Sequence, residues 1–258
     1  MSSITISLLS FSQKHHLERL LPTLMPAAER CGATILMVDN RSRDGSSDFV
    51  RTQYPRVQVV SNPLRTGYGG NHNINMRRAD SDYFVIMNSD MTVQVDTFEK
   101  LAQFMDANPD IGICAPKIVN EDGTIQGLNK RIPTVFDLFA RKFLPPWIQR
   151  FFQRRLDAYE MRDIGYDHQY DSPLLSGAFM FCRTDLLKRL GGFDESYFLY
   201  FEDYDLCRRV QKTHRTVYVP VTEVVHFWER SAHKSHKYAL WFMEGAARFF
   251  WRWGVKLA

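Results

Sequence analysis

Three acids stand within four residues, Glu202, Asp203 and Asp205, inside the segment GGFDESYFLYFEDYDLCRR (191–209). Mutual repulsion among them raises the proton affinity of at least one, which suits a general base. A solvated helix N-terminus also favours acids, but the apolar flank YFLYF argues against full exposure. A second candidate is Asn88-Ser89-Asp90, directly after the apolar run YFVIM (83–87). Oxygen ligands there suit a hard divalent cation that bridges the phosphates of a nucleotide. His226 follows the apolar EVV and offers an imidazole to the same cation, although a lone histidine serves equally as a packing or capping residue. Asp39 ends the run ATILMV (33–38) and can accept the N3–H of a pyrimidine; an acid at a strand end is also a common turn former. The stretch GYGGNHN (67–73) reads as a loop that lets backbone approach a ligand closely. It departs from G-x-G-x-x-G, with His72 at the third glycine, and it follows the third strand, not the first. Both features argue against a dehydrogenase.

The elements that must position these residues follow from periodicity. ITISLL (4–9), ATILMV (33–38), VQVV (57–60), YFVIM (83–87) and IGICA (111–115) read as short buried strands. Helical spacing separates them: His15 to Arg30, with Pro22 forcing a break or kink and Gly32 as its stop, a short helix from Ser46, one near Asn73 to Ala79, and one carrying Phe98, Leu101, Ala102 and Met105. Non-alternating strands between helices imply an α/β fold, with a mostly parallel central sheet and helices on both faces. Ligands of such sheets bind beyond the carboxyl ends of the strands, where Asp39, Asn62 and Asn88 to Asp90 cluster. After residue 116 the alternation loosens into a strand GAFMFC (177–182), helices over 184–190 and 203–212, and two late strands, TVYV and EVVHF. One domain over 1–258 is expected: a nucleotide-binding half (1–115), an acceptor-binding and catalytic half (116–230) with a basic insert (130–170), and a C-terminal amphipathic helix (231–258).

With 258 residues, 45% hydrophobic and 24% charged, the chain is long enough for a sizeable core and is neither disordered nor fibrous. Ser172 to Cys182, the best apolar run, is about half the roughly 20 residues of a spanning helix. No basic residue precedes the first apolar stretch, so no secretory signal is expected, and four scattered cysteines point to reduced thiols in the cytosol. The net charge of +4 is uneven: residues 130–155 carry +6 and residues 227–258 carry +4. Both stretches interleave cations with Phe and Trp, which suits an anionic membrane surface; helices whose aromatics face the core fit equally well. No nucleic-acid-binding motif accompanies the charge.

Taken in order, VDNRSRDGS (38–46), GYGGNHN (67–73), MNSD (87–90), GGFDESYFLYFEDYDLCRR (191–209) and His226 resemble the family 2 glycosyltransferases of the GT-A fold, in their bacterial rhamnosyltransferase-like branch. The likeness spans roughly residues 3–230. It implies that Asp39 binds the pyrimidine base. Ser10, Gly69, Gly70, Asn73, Asn88 and Ser89 would line the nucleotide site, while Asp90 and His226 hold Mg²⁺ or Mn²⁺. Asp203 would be the base that deprotonates the acceptor hydroxyl, with Glu202 or Asp205 as alternatives. Asn88 stands where the family's D-x-D element has its first acid.

The implied reaction is an inverting single displacement on a nucleotide-diphospho-sugar. The expected donor is dTDP-L-rhamnose, and the acceptor a glycan on polyprenyl diphosphate in O-antigen-like biosynthesis at the inner face of the plasma membrane. A UDP-hexose donor and a non-catalytic nucleotide-sugar-binding partner are the alternatives. The C-terminal stripe Tyr238, Trp241, Phe242, Gly245, Phe249 and Trp253 would contact lipid or a second subunit of a homodimer.

Overall fold

The apolar runs pair side by side in the computed structural model, which describes residues 2–64, 66–227 and 236–255. Strands β1 (Ile4–Ser10), β2 (Thr34–Asp39), β3 (Gln58–Ser61) and β4 (Tyr83–Met87) form a parallel ladder in the order β3-β2-β1-β4. Their crossovers are α1 (Lys14–Cys31), α2 (Ser46–Gln53) and α3 (Tyr68–Arg78). The chain continues through β5 (Met91–Val93), α4 (Thr97–Ala107) and β6 (Ile111–Val119) into a helical insert. The insert comprises α5 (Val135–Phe143), α6 (Pro146–Gln149), a 3₁₀ turn (Arg150–Phe152) and α7 (Gln153–Tyr159). Then come β7 (Tyr170–Asp171), β8 (Phe179–Arg183), α8 (Thr184–Arg189), α9 (Glu202–Val210), β9 (Arg215–His226) and α10 (His236–Trp253).

All nine strands join one sheet in the order β3-β2-β1-β4-β8-β6-β9-β5, with β7 on β9. β8 runs antiparallel to β4 and β6, so the sheet is parallel through its first four strands and mixed beyond them. This reversal matters for the site. β1, β2 and β4 end on one edge, and β8 begins there, with Phe179 opposite Met87.

Three expectations are corrected. Pro22 and Pro26 both lie inside α1, which runs on without a break. Each proline costs about 3 kcal/mol in a helix interior, but Leu17, Leu20, Leu21 and Leu24 are all fully buried, and each stabilises by about 1.5–3 kcal/mol. Burial of the apolar face therefore outweighs the lost backbone bonds. The stretch 67–73 is not a loop, because α3 begins at Tyr68. The two late strands are one, β9. Pro220 falls where the β6 register shifts, between the Ala115–Tyr218 and Lys117–Glu223 pairs, and so costs no ladder bond there.

Part of the C-terminal stripe faces inward. Gly245 and Phe249 are buried, and Phe242 and Trp253 pack with them against Tyr197, Phe201 and Tyr204. A Cβ at Gly245 would lie 2.8 Å from the Tyr200 carbonyl oxygen, so the close approach of α10 requires glycine. Gly245 and Phe249 thus cover the chain's own core, while Tyr238, Trp241, Phe242 and Trp253 stay half-buried. Residues 228–235 and 256–258 of the basic C-terminal stretch lie outside the described residues.

Candidate active site

Parallel pairing places Ser10 beside Asp39 at the carboxyl edge of the sheet. The Asp39 carboxylate is buried and accepts the Ser42 N–H at 3.0 Å, and Ser10 Oγ lies 3.4 Å from Ser42 Oγ. One strand over, the Asn88 N–H donates to the Ala178 carbonyl oxygen, which ties the end of β4 to the start of β8. Ser89 is buried and donates to Gln13 Oε1 at 2.8 Å.

Gly69, Gly70 and Asn73 serve packing. A Cβ on Gly69 would strike the Phe193 side chain at 2.5 Å. Asn73 spends its amide on the 191–195 loop, donating to the Phe193 carbonyl oxygen and Glu195 and accepting the Phe193 N–H. The three residues seat that loop against α3 and do not line the cavity described next.

Asn88, Asp90, Glu202, Asp203 and His226 line one open cavity of about 510 Å³ at this edge. The acids reach it through an unusual turn. Tyr200 and Phe201 have φ of +73° and +68°, and Phe201 caps α9 so that Glu202 and Asp203 open the helix. Left-handed non-glycine residues cost about 1–3 kcal/mol each and persist where packing over-determines them. Here Phe201 is clamped by Phe242, Phe249 and Tyr204.

Asp203 accepts the N–H of Gly177 at 2.9 Å and that of Tyr204 at 2.8 Å. Burial pushes its carboxyl up to about 6, against the pull of those two N–H groups. Burial and the neighbouring Asp203 charge raise Glu202 well above the carboxylate range, and its Oε2 has no hydrogen-bond partner among the described residues. Of the two carboxyls Glu202 is pushed the higher, so Asp203 is the one that gives up its proton first. Asp205 turns away from the cavity: fully buried, it binds Arg209 at 2.7 Å and accepts the Trp253 indole N–H at 3.0 Å. It anchors α10, which leaves Asp203 and Glu202 as the acids facing the cavity.

Across the cavity, His226 Nε2 lies 3.2 Å from Asp90 Oδ1, yet both atoms are buried without a hydrogen-bond partner. Gln126 explains the imidazole's state. Its Nε2 donates to the His226 carbonyl oxygen and to Asn120 Oδ1, so its Oε1 is the atom 2.8 Å from His226 Nδ1. Nδ1 must then carry the proton, and in the neutral ring a bare Nε2 lone pair faces the Asp90 carboxylate. Burial pushes the Asp90 carboxyl up, but a protonated His226 that donates to it outweighs burial and holds it below its usual range; the neutral ring instead leaves the lone pair for a cation. Two electron-rich buried atoms without hydrogen-bond partners fit a divalent cation. Among the described residues no three His, Cys, Asp or Glu side chains converge, so these two would leave the remaining positions of a cation open.

Four cavity residues escaped the sequence reading. The Tyr68 hydroxyl donates to the Gly177 carbonyl oxygen at 2.7 Å and lies 3.0 Å from Asn88 Oδ1, which fixes the backbone that in turn holds Asp203. Gln126 and Tyr159 carry no motif. Gly177 was visible only as the start of a strand.

A proton acceptor and a cation-ready pair on one open cavity suit the chemistry of group transfer. The sequence profile of glycosyl transferase family 2 matches residues 15–184. The chain belongs to that family and is a glycosyltransferase. It is 29% identical over 245 residues to N-acetylglucosaminyl-diphospho-decaprenol L-rhamnosyltransferase of Mycobacterium tuberculosis, covering 88% of this chain and 75% of that protein. It is 26% identical over 172 residues to the rhamnosyltransferase WbbL of Escherichia coli, covering 62% of this chain and 61% of that one. In fold it resembles the mannosyltransferase PcManGT of Pyrobaculum calidifontis, solved with GDP-Man and Mn²⁺, at a TM-score of 0.63 and 18% identity over 89% of this chain and 58% of that one. GalNAc-T7, solved with UDP, GalNAc and Mn²⁺, gives 0.66 and 16%, over 88% of this chain and 43% of that one. The GT-A α/β fold expected from the sequence is the one found.

Proposed function

We propose that the protein transfers L-rhamnose from dTDP-L-rhamnose, with inversion, to a hydroxyl of a glycan carried on polyprenyl diphosphate. The observation that carries this reading is the placement of Asp203 and of the Asp90–His226 pair on one cavity. Asp203 accepts the proton of the acceptor hydroxyl as its oxygen attacks C1 of the sugar and the nucleoside diphosphate departs. Asp39 and Ser10 hold the base at the neighbouring strand ends, and Asn88 and Ser89 carry the site on towards Asp90. A divalent cation held by Asp90 and His226 supplies charge to offset that of the leaving diphosphate. The two rhamnosyltransferase relatives support the sugar, and the name of the mycobacterial one supports the lipid-linked acceptor.

No described helix is long and apolar enough to cross a membrane. We place the enzyme peripherally at the inner face, in contact through Phe139, Phe143, Trp147 and Phe151, which are 47–70% exposed, with Arg150 and Arg154 beside them. The test is reconstitution on anionic vesicles holding N-acetylglucosaminyl-diphospho-polyprenol, with dTDP-L-rhamnose and Mg²⁺ or Mn²⁺. Transfer with inverted anomeric configuration and co-flotation with the vesicles are expected; transfer only from a UDP-hexose would overturn the donor.

Gln126 gives this reading an independent check. Gln126→Leu frees the Nδ1 proton of His226 and lets the ring change tautomer. Outer-shell losses of this kind cost about 10–100-fold in metal affinity. Mn²⁺ titration followed by the free-ion spin-resonance signal should show that loss, whereas unaltered affinity would remove His226 from the cation site.

A further inference from the structure

The wall of the cavity formed by the insert is cationic, and nothing in the transfer step uses it. Lys130, Arg141, Lys142 and Arg162 all line the cavity. Three of them converge on one carboxylate: Glu160 lies 3.0 Å from Lys130, 2.7 Å from Arg141 and 2.8 Å from Arg162. Three cations on one anion leave an excess of two positive charges. Of the three, Lys130 is the one withdrawn from water, its side chain only 12% exposed. The surplus sits on Arg141 and Arg162, whose side chains are 42% and 39% exposed and can meet an anion that enters the cavity.

The position of the wall is as informative as its charge. From Asp203 it is reached through Tyr204, whose hydroxyl lies 3.2 Å from that of Tyr159, and the Lys130 ammonium stands 5.3 Å from the Tyr159 ring. From His226 it is reached through Gln126 and Gly127, where a Cβ would strike the Arg162 guanidinium at 2.8 Å. The cations thus line the same cavity as the proton acceptor and adjoin His226 on its Gln126 side. Helix α5 carries Arg141 and Lys142 to the cavity between Phe139 and Phe143, both of which face outward.

We propose that Lys130, Arg141, Lys142 and Arg162 form a diphosphate subsite that holds the acceptor by the diphosphate linking its glycan to the lipid carrier, with the outward aromatics of α5 beside the lipid. The proposal rests on the acceptor class given above. The donor's own diphosphate has the same chemistry, and the KM for acceptor and the KM for donor tell the two sources apart.

Geranyl diphosphate, titrated calorimetrically in EDTA, probes the subsite without sugar, turnover or cation. Wild type should bind it, and Arg141→Gln/Lys142→Gln should bind about tenfold more weakly or worse, since charge-assisted hydrogen bonds are lost. Geraniol should not bind. Absence of binding to wild type, or equal binding to the variant, overturns the subsite whether or not rhamnose is the sugar transferred. In the transfer assay the same variant should raise KM for the diphosphate-linked acceptor about tenfold and leave donor KM unchanged. A rise in donor KM alone would reassign the wall to the donor. Lys142→Gln, at the partly exposed end of the wall, keeps both measurements readable if the double variant fails to fold.

Discussion

Asp203→Asn is expected to lower sugar transfer by about three orders of magnitude while donor affinity stays within a few-fold of wild type. General-base assistance is worth about 10²–10⁴-fold, and the amide keeps the size of the side chain but accepts no proton. Donor binding, read from the ligand-induced rise in melting temperature, should survive because, in the proposed function, the nucleotide base is held by Ser10 and Asp39, a neighbouring pair of strand ends, and not by Asp203. The same assignment sets the pH profile. Burial raises Asp203 to about 6, and the base works only when ionised. The rate should therefore be level above pH 7 and fall about tenfold per unit below 6. Glu202→Gln separates the two acids. Burial and the Asp203 charge push Glu202 well above the carboxylate range, so a neutral amide should leave transfer within about tenfold of wild type. If Glu202→Gln abolishes transfer and Asp203→Asn does not, the roles are exchanged.

The strands and their ends were legible because a parallel sheet covered on both faces demands unbroken apolar runs, and polar residues then mark the edge where the runs stop. Asp39 and Asn88–Asp90 were found this way, and the acidic block by its density. Direction was not legible. The glycines of 67–73 lower helix propensity, which reads as a loop. In the fold they admit Phe193 and Phe198 against α3, and Asn73 binds the backbone of residue 193. Only a contact over 120 residues of sequence supplies that reason. The charge of the insert was visible as a sum, but not that Lys130, Arg141 and Lys142 turn towards the cavity while Arg150 and Arg154 turn to solvent. The C-terminal stripe was drawn along the right residues, but periodicity locates an apolar face without saying how much of it the chain's own core covers. Gln126 left no trace, since a single glutamine acquires meaning only from the imidazole it orients.

Asp90→Asn should produce the largest loss in cation binding of any single change. The carboxylate lies 3.2 Å from His226 Nε2, its side chain is 15% exposed, and His226 holds it below the usual carboxylate range. Replacing it by an amide removes a full charge from a poorly solvated place while leaving the shape intact. Because outer-shell changes alone cost up to about 100-fold, loss of the carboxylate itself should exceed that, and should exceed the effect of Gln126→Leu. The order of the two variants is the informative result. A site built from Asp90 and an oriented His226 requires wild type to bind Mn²⁺ most tightly, Gln126→Leu next and Asp90→Asn least. Donor affinity measured with Mn²⁺ should follow the same order, and donor affinity in EDTA should not change across the three proteins. Equal donor binding by wild type and Asp90→Asn in the presence of Mn²⁺ would place the cation elsewhere. The unpartnered Asp90 and His226 atoms would then be a buried carboxylate–imidazole contact with no part in holding the diphosphate.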